Sequence, residues 1–289
     1  MPSLPHIPRA ALGPIALASL LVLLAWRFSW GQPPPARFTP PGALQHLTTA
    51  ERPVPPGAPT PTPVPLTGSY APPAEGMQLV VAEGLLDELE RARLAADLER
   101  ALAYVVERFG TSPAGEINTY VGLEPTCGLH GIAYTEVRTV QVFTCRDLPI
   151  GRAINIMAHE YVHQLSHDRY GEPHMRADLV LLEGIATWGA GAYWLGGAPD
   201  FRSFVRPWLD RGENIPLHES YVGLPVSDMN KLYYQWGSFV EFLIEVYGRE
   251  KLDQVYLTGQ NYPASADYLG VYGKRFDELE AEWHAWVLR

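Results

Sequence analysis

Cysteine is scarce in this sequence of 289 residues, and negative charge outnumbers positive charge. The chain carries 22 Lys and Arg against 32 Asp and Glu, a formal net charge of −10. Residues 1–75 hold four Arg and two acidic side chains, so residues 76–289 hold 18 basic and 30 acidic side chains, a net charge of −12. Proteins that bind nucleic acid usually present a basic surface, so we expect no nucleic-acid partner. No internal repeat is evident, and no pattern assigns an oligomeric state.

Only two cysteines occur, Cys127 and Cys145. They flank a predicted β-hairpin, which would bring them close together. Outside the cytoplasm such a pair predicts a disulfide. Two free buried thiols are the alternative. A metal site on the pair is disfavoured, because a histidine motif described below already accounts for a metal.

Charge is absent from the Leu-rich run of seventeen residues between Ala10 and Trp26, which follows Arg9. The run lies at the low end of the length that spans a bilayer. No A-x-A-like cleavage site follows, and Trp26 and Trp30 stand where a membrane interface favours tryptophan. Residues 1–31 are therefore predicted to be an uncleaved single-pass membrane anchor, with a cleaved signal peptide of a secreted protein as the alternative. Either interpretation places the following domain outside the cytoplasm.

Residues 32–75 contain fourteen prolines, including Pro33-Pro34-Pro35. A segment of this composition is extended and semi-rigid and cannot form a core. We interpret it as a disordered linker that holds the domain of residues 76–289 away from the membrane. A proline-rich ligand for a binding module is the alternative.

The clearest chemical signal is H-E-x-x-H at residues 159–163. Positions four apart lie on one face of a helix, so His159 and His163 can direct two imidazoles at one ion. Neutral imidazole suits zinc, and two such ligands leave room for a third protein ligand and a water. Glu160 can reach that water and act as a general base in metal-assisted hydrolysis.

A chance match is the alternative, since the chain's own His and Glu frequencies give about one or two such matches per hundred chains of this length. The surroundings favour a real site. Apolar residues at helical spacing predict a buried helix, and unpaired polar groups in such a helix are costly. A metal would satisfy the side chains of His159, Glu160 and His163. These apolar neighbours are Ala153, Ile154, Ile156, Met157, Val162 and Leu165.

The third ligand is expected from a second helix. A metzincin would carry Gly three and His six residues after the second histidine, but Ser166 and Arg169 stand there. Nineteen residues separate His163 from Glu183, and Gly171 and Pro173 between them can end one helix before a second returns.

Glu183 itself lies in an apolar segment, Leu179 to Ala186. A lone carboxylate there is costly unless it is paired or bound to a metal. Glu183 is therefore the candidate third ligand, and an ion pair with Arg176 is the alternative.

These residues resemble those of gluzincin metallopeptidases. H-E-x-x-H followed after some eighteen to twenty residues by E-G-x-A is similar to the pattern of M1-type aminopeptidases and smaller peptidase-MA-like proteins. The resemblance covers residues 76–289 in layout, and its specific residues lie between His159 and Gly237. It implies an α+β, zincin-like domain in which a small mixed sheet precedes a mostly helical subdomain. It also implies Zn²⁺ on His159, His163 and Glu183, with Glu160 as the base.

The resemblance extends to a tyrosine. Tyr234-Gln235-Trp236-Gly237 is similar to the Y-x-x-G that opens a later helix in M1-type enzymes, which implies that Tyr234 donates to the oxyanion of the tetrahedral intermediate. Tyr233 is the neighbour that a shift of one residue would select. His218 is a further alternative, because a histidine has this role in thermolysin-like gluzincins.

The resemblance further implies an edge strand above the zinc that pairs with substrate backbone. We predict residues 131–135 as this strand, with Gly131, Ile132 and Ala133 contacting a peptide or protein substrate. Two features depart from the M1 pattern: Leu182 stands where Asn is usual, and the G-A-M-E-N segment that holds a free amino terminus is absent. Aminopeptidase specificity is therefore not expected. A catalytically inactive zinc-binding module or a cell-envelope scaffold of the same fold is the alternative function.

The other polar residues near the motif receive weaker interpretations. Asp178 and Thr187 are candidates for orienting the imidazoles. His167 and His174 are predicted not to be ligands.

Hydrophobic periodicity predicts the remaining elements. The predicted strands cover residues 77–81, 116–121, 131–135 and 139–144, and the predicted helices outside the motif cover residues 85–109, 198–209, 233–247, 251–257, 264–272 and 276–288.

Overall fold

The first part of the folded chain builds a sheet with one long helix between its strands, and the remainder is helical. The computed structural model describes residues 67–71 and 76–289. The predicted anchor and most of the predicted linker lie outside these residues. Across the two described ranges, no helix combines the length and the apolar composition that a bilayer crossing requires.

Five strands form one mixed sheet: β1 (Ser69–Tyr70), β2 (Met77–Val81), β3 (Ile117–Leu123), β4 (His130–Tyr134) and β5 (Thr139–Thr144). Their order across the sheet is β1-β2-β3-β5-β4. β2, β3 and β5 are parallel, whereas β1 and β4 pair antiparallel with their neighbours. β4 therefore ends the described sheet on one side. The predicted order of a small mixed sheet followed by helices is confirmed.

The folded region begins earlier than the predicted boundary at residue 76. Ser69 and Tyr70 pair with Val81 and Val80 of β2, although they lie within the predicted linker. The hydroxyl of Tyr120 also donates to the carbonyl of Thr67. A strand of two residues is too short to produce a periodic pattern, and the prolines around it dominate the composition.

Nine helices follow in the described residues: α1 (Glu88–Phe109), α2 (Ile150–Tyr170), α3 (Leu179–Ala190), α4 (Ala192–Leu195), α5 (Phe201–Asp210), α6 (Val226–Tyr247), α7 (Arg249–Tyr256), α8 (Tyr268–Tyr272) and α9 (Phe276–Leu288). The predicted helix at residues 233–247 is the second part of a longer helix, α6.

α1 begins three residues later than predicted, because Asp87 caps it. The Asp87 carboxylate accepts the backbone N–H of Glu90 at 2.8 Å, and the Glu90 carboxylate accepts the N–H of Asp87 at 2.8 Å. This reciprocal capping box satisfies two of the free donors at the helix start. Leu89 is 60% exposed, so the buried stripe of the helix begins beyond it.

α2 lies at the centre of the fold and is buried from Gly151 to Ser166. It contacts α1, α3 and the two strands β4 and β5. It ends at Tyr170, and Gly171 then adopts φ 67°, a conformation that glycine tolerates best. A 3₁₀ turn at Glu172–Arg176 leads the chain back into α3, which packs against α2.

A disulfide ties the loop before β4 to the end of β5, as predicted. The sulfur atoms of Cys127 and Cys145 are at bonding distance, and the two Cα atoms lie 5.0 Å apart. This Cα separation is typical of disulfides. The crosslink therefore holds the start of the edge strand β4 to its neighbour.

Gly184 allows α3 and α6 to approach closely. A Cβ at this position would lie 2.8 Å from the carbonyl oxygen of Trp236 and 2.8 Å from a methyl group of Val240. Backbone atoms of α6 cannot move aside as the end of a flexible side chain can. We therefore expect Gly184→Ala to lower stability by about 1–2 kcal/mol despite the higher helix propensity of alanine.

This loss of stability should lower the melting temperature of the Gly184→Ala variant by about 2–8 °C, which circular dichroism can measure. Gly115→Ala is the matched control, because its Cβ would lie 3.5 Å from Arg138 Nε, an ordinary contact. Equal melting temperatures for the two variants would contradict the packing described here.

Candidate functional site

α2 and α3 bring the three side chains predicted as ligands together in the buried interior. His159 Nε2 lies 3.2 Å from Glu183 Oε2, and His163 Nε2 lies 3.1 Å from His159 Nε2. The third side of this triangle, from His163 Nε2 to Glu183 Oε2, is 3.6 Å. Glu183 therefore faces both imidazoles. Arg176, the alternative partner considered for Glu183, is exposed instead.

The triangle has the size that a tetrahedral zinc ion needs. With zinc–ligand distances of about 2.0–2.1 Å, tetrahedral geometry separates neighbouring ligand atoms by about 3.3 Å. The three observed separations lie between 3.1 and 3.6 Å. Two imidazoles and one carboxylate are also the donors that zinc accepts, with a fourth position left for water. The three side chains could therefore hold a zinc ion.

Electrostatics favour the forms that bind a metal. Burial lowers the pKa of His159 to about 4, so its imidazole is neutral at physiological pH. Burial opposes the charged form of Glu183, but its hydrogen bonds with His159 and His163 outweigh this effect and lower its pKa. Neutral imidazole and ionised carboxylate are the metal-binding forms of these side chains.

Glu160 lies beside the triangle under the edge strand β4. A Cβ on Gly131 would lie 2.7 Å from Glu160 Oε1 and 2.5 Å from a methyl group of Ile156, so only glycine fits there. Burial, with a contribution from the charge of Glu183, raises the pKa of Glu160. Its Oε2 atom is buried and has no hydrogen-bond partner among the described residues. A buried carboxylate oxygen without a partner is suited to contact a molecule from outside the chain.

The predicted substrate strand, residues 131–135, corresponds to β4 at the sheet edge. Gly131 pairs with Val142 and Ala133 with Val140 of β5, which leaves the other side of β4 without a neighbouring strand in the described sheet. Side chains alternate along a strand, so Gly131 and Ala133 lie on the face of α2 and Ile132 on the opposite face. Of the three predicted substrate contacts, Gly131 and Ala133 thus share a face with Glu160, and Ile132 does not.

The structure places Tyr234 away from the imidazoles. Its hydroxyl donates to the carbonyl of Trp194 at 2.9 Å, and its ring stacks on Phe204 with centroids 4.1 Å apart. Burial raises its pKa. The neighbouring residue Tyr233 is the tyrosine on the His159 side, with ring centroids 5.8 Å apart. The geometry therefore favours Tyr233 over Tyr234 at the site.

His159 has a second aromatic neighbour, which the sequence did not indicate. The indole of Trp194 stacks on His159 with centroids 5.0 Å apart, and its Nε1 donates to the carbonyl of Asn155 at 3.1 Å. Trp194 lies in the four-residue helix α4, which is too short to give a periodic signal. On the far side of His159, the hydroxyl of Thr187 lies 3.5 Å from Nδ1 and can orient the ring.

The three other histidines that the sequence drew attention to do not contribute to the triangle, although the ring of His174 lies 6.0 Å from that of His163. His174 is buried, and its Nδ1 lies 2.8 Å from the Tyr256 hydroxyl. The ring of His167 lies 5.9 Å from that of His174. His218 has an exposed side chain, 3.9 Å from Glu280 of α9. None of the three belongs to the metal-ligating group found among the described residues.

The chain is similar to solved structures of zinc metallopeptidases. An M1 zinc metallopeptidase from Deinococcus radiodurans has 18% sequence identity and a TM-score of 0.44, over 75% of this chain and 51% of that one. A mutant of an M1 zinc metallopeptidase from the same organism, bound to a Tyr-Ser-Ala substrate, has 18% identity and a TM-score of 0.44, over 76% of this chain and 51% of that one. The chain thus spans about half the length of both structures. The likeness is distant and concerns the fold alone.

Comparison with models of known protein families and with curated protein sequences gives no match.

Asp178 anchors the helix that carries Glu183 and does not contact the imidazoles in this arrangement. One carboxylate oxygen accepts the N–H groups of Val180 and Ala264, and the other accepts Ala266 N–H and the Tyr268 hydroxyl, all at 2.9–3.1 Å. Burial raises the pKa of Asp178 to about 6, although these four donors lower it. Asp178 thereby caps α3 and fastens it to the chain around α8.

We expect Asp178→Asn to lower the free energy of unfolding by about 2–4 kcal/mol, because the amide NH₂ would face two donors. Urea unfolding measures this. Asp267→Asn is the control, since Asp267 is exposed and caps α8 through one N–H, that of Gly270, which asparagine accepts equally well. Similar losses in both variants would rule out the anchoring role.

Proposed function

We propose that this chain is a zinc-dependent peptidase of gluzincin type that acts outside the cytoplasm. The observation that supports the activity best is the triangle of His159, His163 and Glu183, with the unpartnered carboxylate of Glu160 beside it. The compartment is supported by the disulfide and by the predicted anchor. The substrate in this proposal is a peptide or protein segment in extended conformation.

Each residue has a role that follows from its position. A zinc ion held by His159, His163 and Glu183 would supply Lewis acidity that activates a water molecule. Glu160 takes the proton from this water as it attacks the peptide carbonyl, and then gives the proton to the leaving amine.

Two further groups of the chain orient the substrate and stabilise charge. The free edge of β4 offers backbone N–H and C=O groups to an extended peptide, which fixes its position without reading its sequence. The hydroxyl of Tyr233, on the His159 side of α6, is the group we assign to the developing oxyanion.

Replacing Glu160 separates catalysis from metal binding. We expect purified Glu160→Gln to keep about one zinc ion per chain and to lose about 10²–10⁴-fold in peptide turnover, because glutamine cannot accept the proton. Metal analysis and digestion of a peptide library measure the two properties. Glu183→Gln should lose zinc, and Glu172→Gln, an exposed position near the site, is the control.

Undiminished turnover in Glu160→Gln would remove this residue from the mechanism. Zinc in the wild-type protein without turnover of any peptide would instead favour an inactive zinc-binding module.

The two neighbouring tyrosines form a matched pair. We expect Tyr233→Phe to lower kcat by about 10²–10³-fold, since it removes a donor to the oxyanion. Tyr234→Phe should leave kcat close to wild type and lower stability by about 0.5–1.5 kcal/mol, because it loses the hydrogen bond to Trp194. Kinetics with one fluorogenic peptide and thermal melts measure both effects. The reverse result would assign the role to Tyr234.

A further inference from the structure

Arg152 is a buried cation, and two of its three guanidinium nitrogens lack a partner among the described residues. Its relative exposure is 7%, and its Nε and Nη2 atoms have no hydrogen-bond partner among the described residues. None of the ion pairs among these residues includes it. Burial lowers its pKa, and no neighbouring carboxylate offsets this effect. An uncompensated buried charge is costly, so folded proteins normally pair it.

The helix geometry places Arg152 on the same face of α2 as His159 and His163. With about 100° per residue, position 152 lies about 20° from position 159 on one side and about 20° from position 163 on the other. Arg152 therefore lies on the line between the two imidazoles, about two turns nearer the start of α2. Glu160 lies to one side of this line, toward β4. The carbonyl of Asn155 lies to the other side, toward Trp194.

Two contacts show how β4 runs over this helix. Gly131 lies against Ile156 and Glu160, and the carbonyl of Thr135 accepts a hydrogen bond from Gln164. β4 and α2 therefore run in the same direction, and Arg152 lies toward the start of β4. The distance along the helix from Glu160 to Arg152 is about 12 Å, which an extended peptide covers in about three or four residues.

The chemistry of arginine restricts what can pair with it here. A guanidinium group offers a planar fork of donors that matches a carboxylate in two parallel hydrogen bonds. The domain is acidic, yet it supplies no carboxylate to this position. The missing partner is thus expected from the molecule that binds at the proposed site.

We propose that Arg152 is a specificity-determining residue that binds a substrate carboxylate three or four residues from the scissile bond, on the side over the start of β4. The inference rests on the proposed peptidase function and names its substrate class. The carboxylate can belong to an Asp or Glu side chain or to the end of a short peptide. Both sources present the same group to the guanidinium.

The test compares peptides that differ in one carboxylate. In the first series, a neutral peptide blocked at both ends carries a single Asp at each position in turn, and the matched peptide carries the isostere Asn at the same position. In the second series, the peptide has either a free or an amidated carboxyl end. We expect an Asp/Asn ratio of kcat/KM of about 10–100 at one position, mainly through KM, since a hydrogen bond to a charged group is being formed. A preference for the free carboxyl end alone would identify the chain end as the source.

Three variants assign the preference. Arg152→Met should reduce the ratio to about one, and Arg152→Lys should retain part of it, because lysine keeps the charge without the planar fork. Arg146→Met is the control, since Arg146 is exposed and lies six residues earlier. Removing an unpaired buried charge should not lower the melting temperature of Arg152→Met, whereas a structural arginine would destabilise on replacement.

A binding measurement keeps the inference independent of turnover. Calorimetry with the Glu160→Gln protein compares the Kd of the Asp and Asn peptides, with and without Arg152→Met. Equal Kd values for the two peptides, or a preference that survives in Arg152→Met, would overturn the inference. A preference in binding without turnover in the wild-type protein would instead leave Arg152 in place and refute the proposed peptidase function.

Discussion

Burial of two carboxylates beside two imidazoles is the constraint on which the rest of the structure depends. Glu160 and Glu183 are 3% and 1% exposed, and the charge of Glu183 helps to raise the pKa of Glu160. Two like charges in a poorly solvated interior cannot both ionise without compensation. A divalent cation on the three ligating atoms would remove this conflict, and its binding energy would then contribute to folding. The same cation would thus serve both the catalytic proposal and the stability of the α2–α3 pair.

Close packing at three glycines positions these groups. Gly131 allows β4 to lie against Glu160, Gly184 allows α3 to lie against the Trp236 carbonyl, and Gly189 is in contact with Val162 of α2. At each position a Cβ would come within 2.8 Å of a neighbouring atom. The elements that carry the candidate ligands, Glu160 and Tyr233 therefore pack closely at these three positions. Small shifts in helix packing would change the distances between reacting groups directly.

The parts of the site that local rules determine could be predicted from sequence. Positions 159 and 163 share a helix face through the helical repeat alone, and the cost of burying Glu183 indicated that it needs a partner. Hairpin spacing indicated both β4 and the disulfide. The metal-ligand roles of His159, His163 and Glu183 stay predictions, but the geometry brings these three side chains together.

The parts that depend on distant contacts could not be predicted. Adjacent residues of a helix point about 100° apart, so the choice between Tyr233 and Tyr234 depends on the rotation of α6. That rotation is fixed by Gly184 on α3 and by the stacking of Tyr234 on Phe204 of α5, which no motif encodes. The helix that carries Trp194 and the strand β1 are too short to show a hydrophobic periodicity.

Steps of four residues along α2 relate Arg152 to Glu160. Arg152, Ile156, Glu160 and Gln164 follow one another at these steps, so each lies about 6 Å farther along the axis and about 40° farther around it. β4 is held in register with this series at two points, Gly131 against Glu160 and the Thr135 carbonyl on Gln164. A rigid helix that carries the base and the unpaired guanidinium keeps their separation constant, whereas loops would not. In the proposed enzyme, that fixed separation relates the bond that is cleaved to the position of the substrate carboxylate.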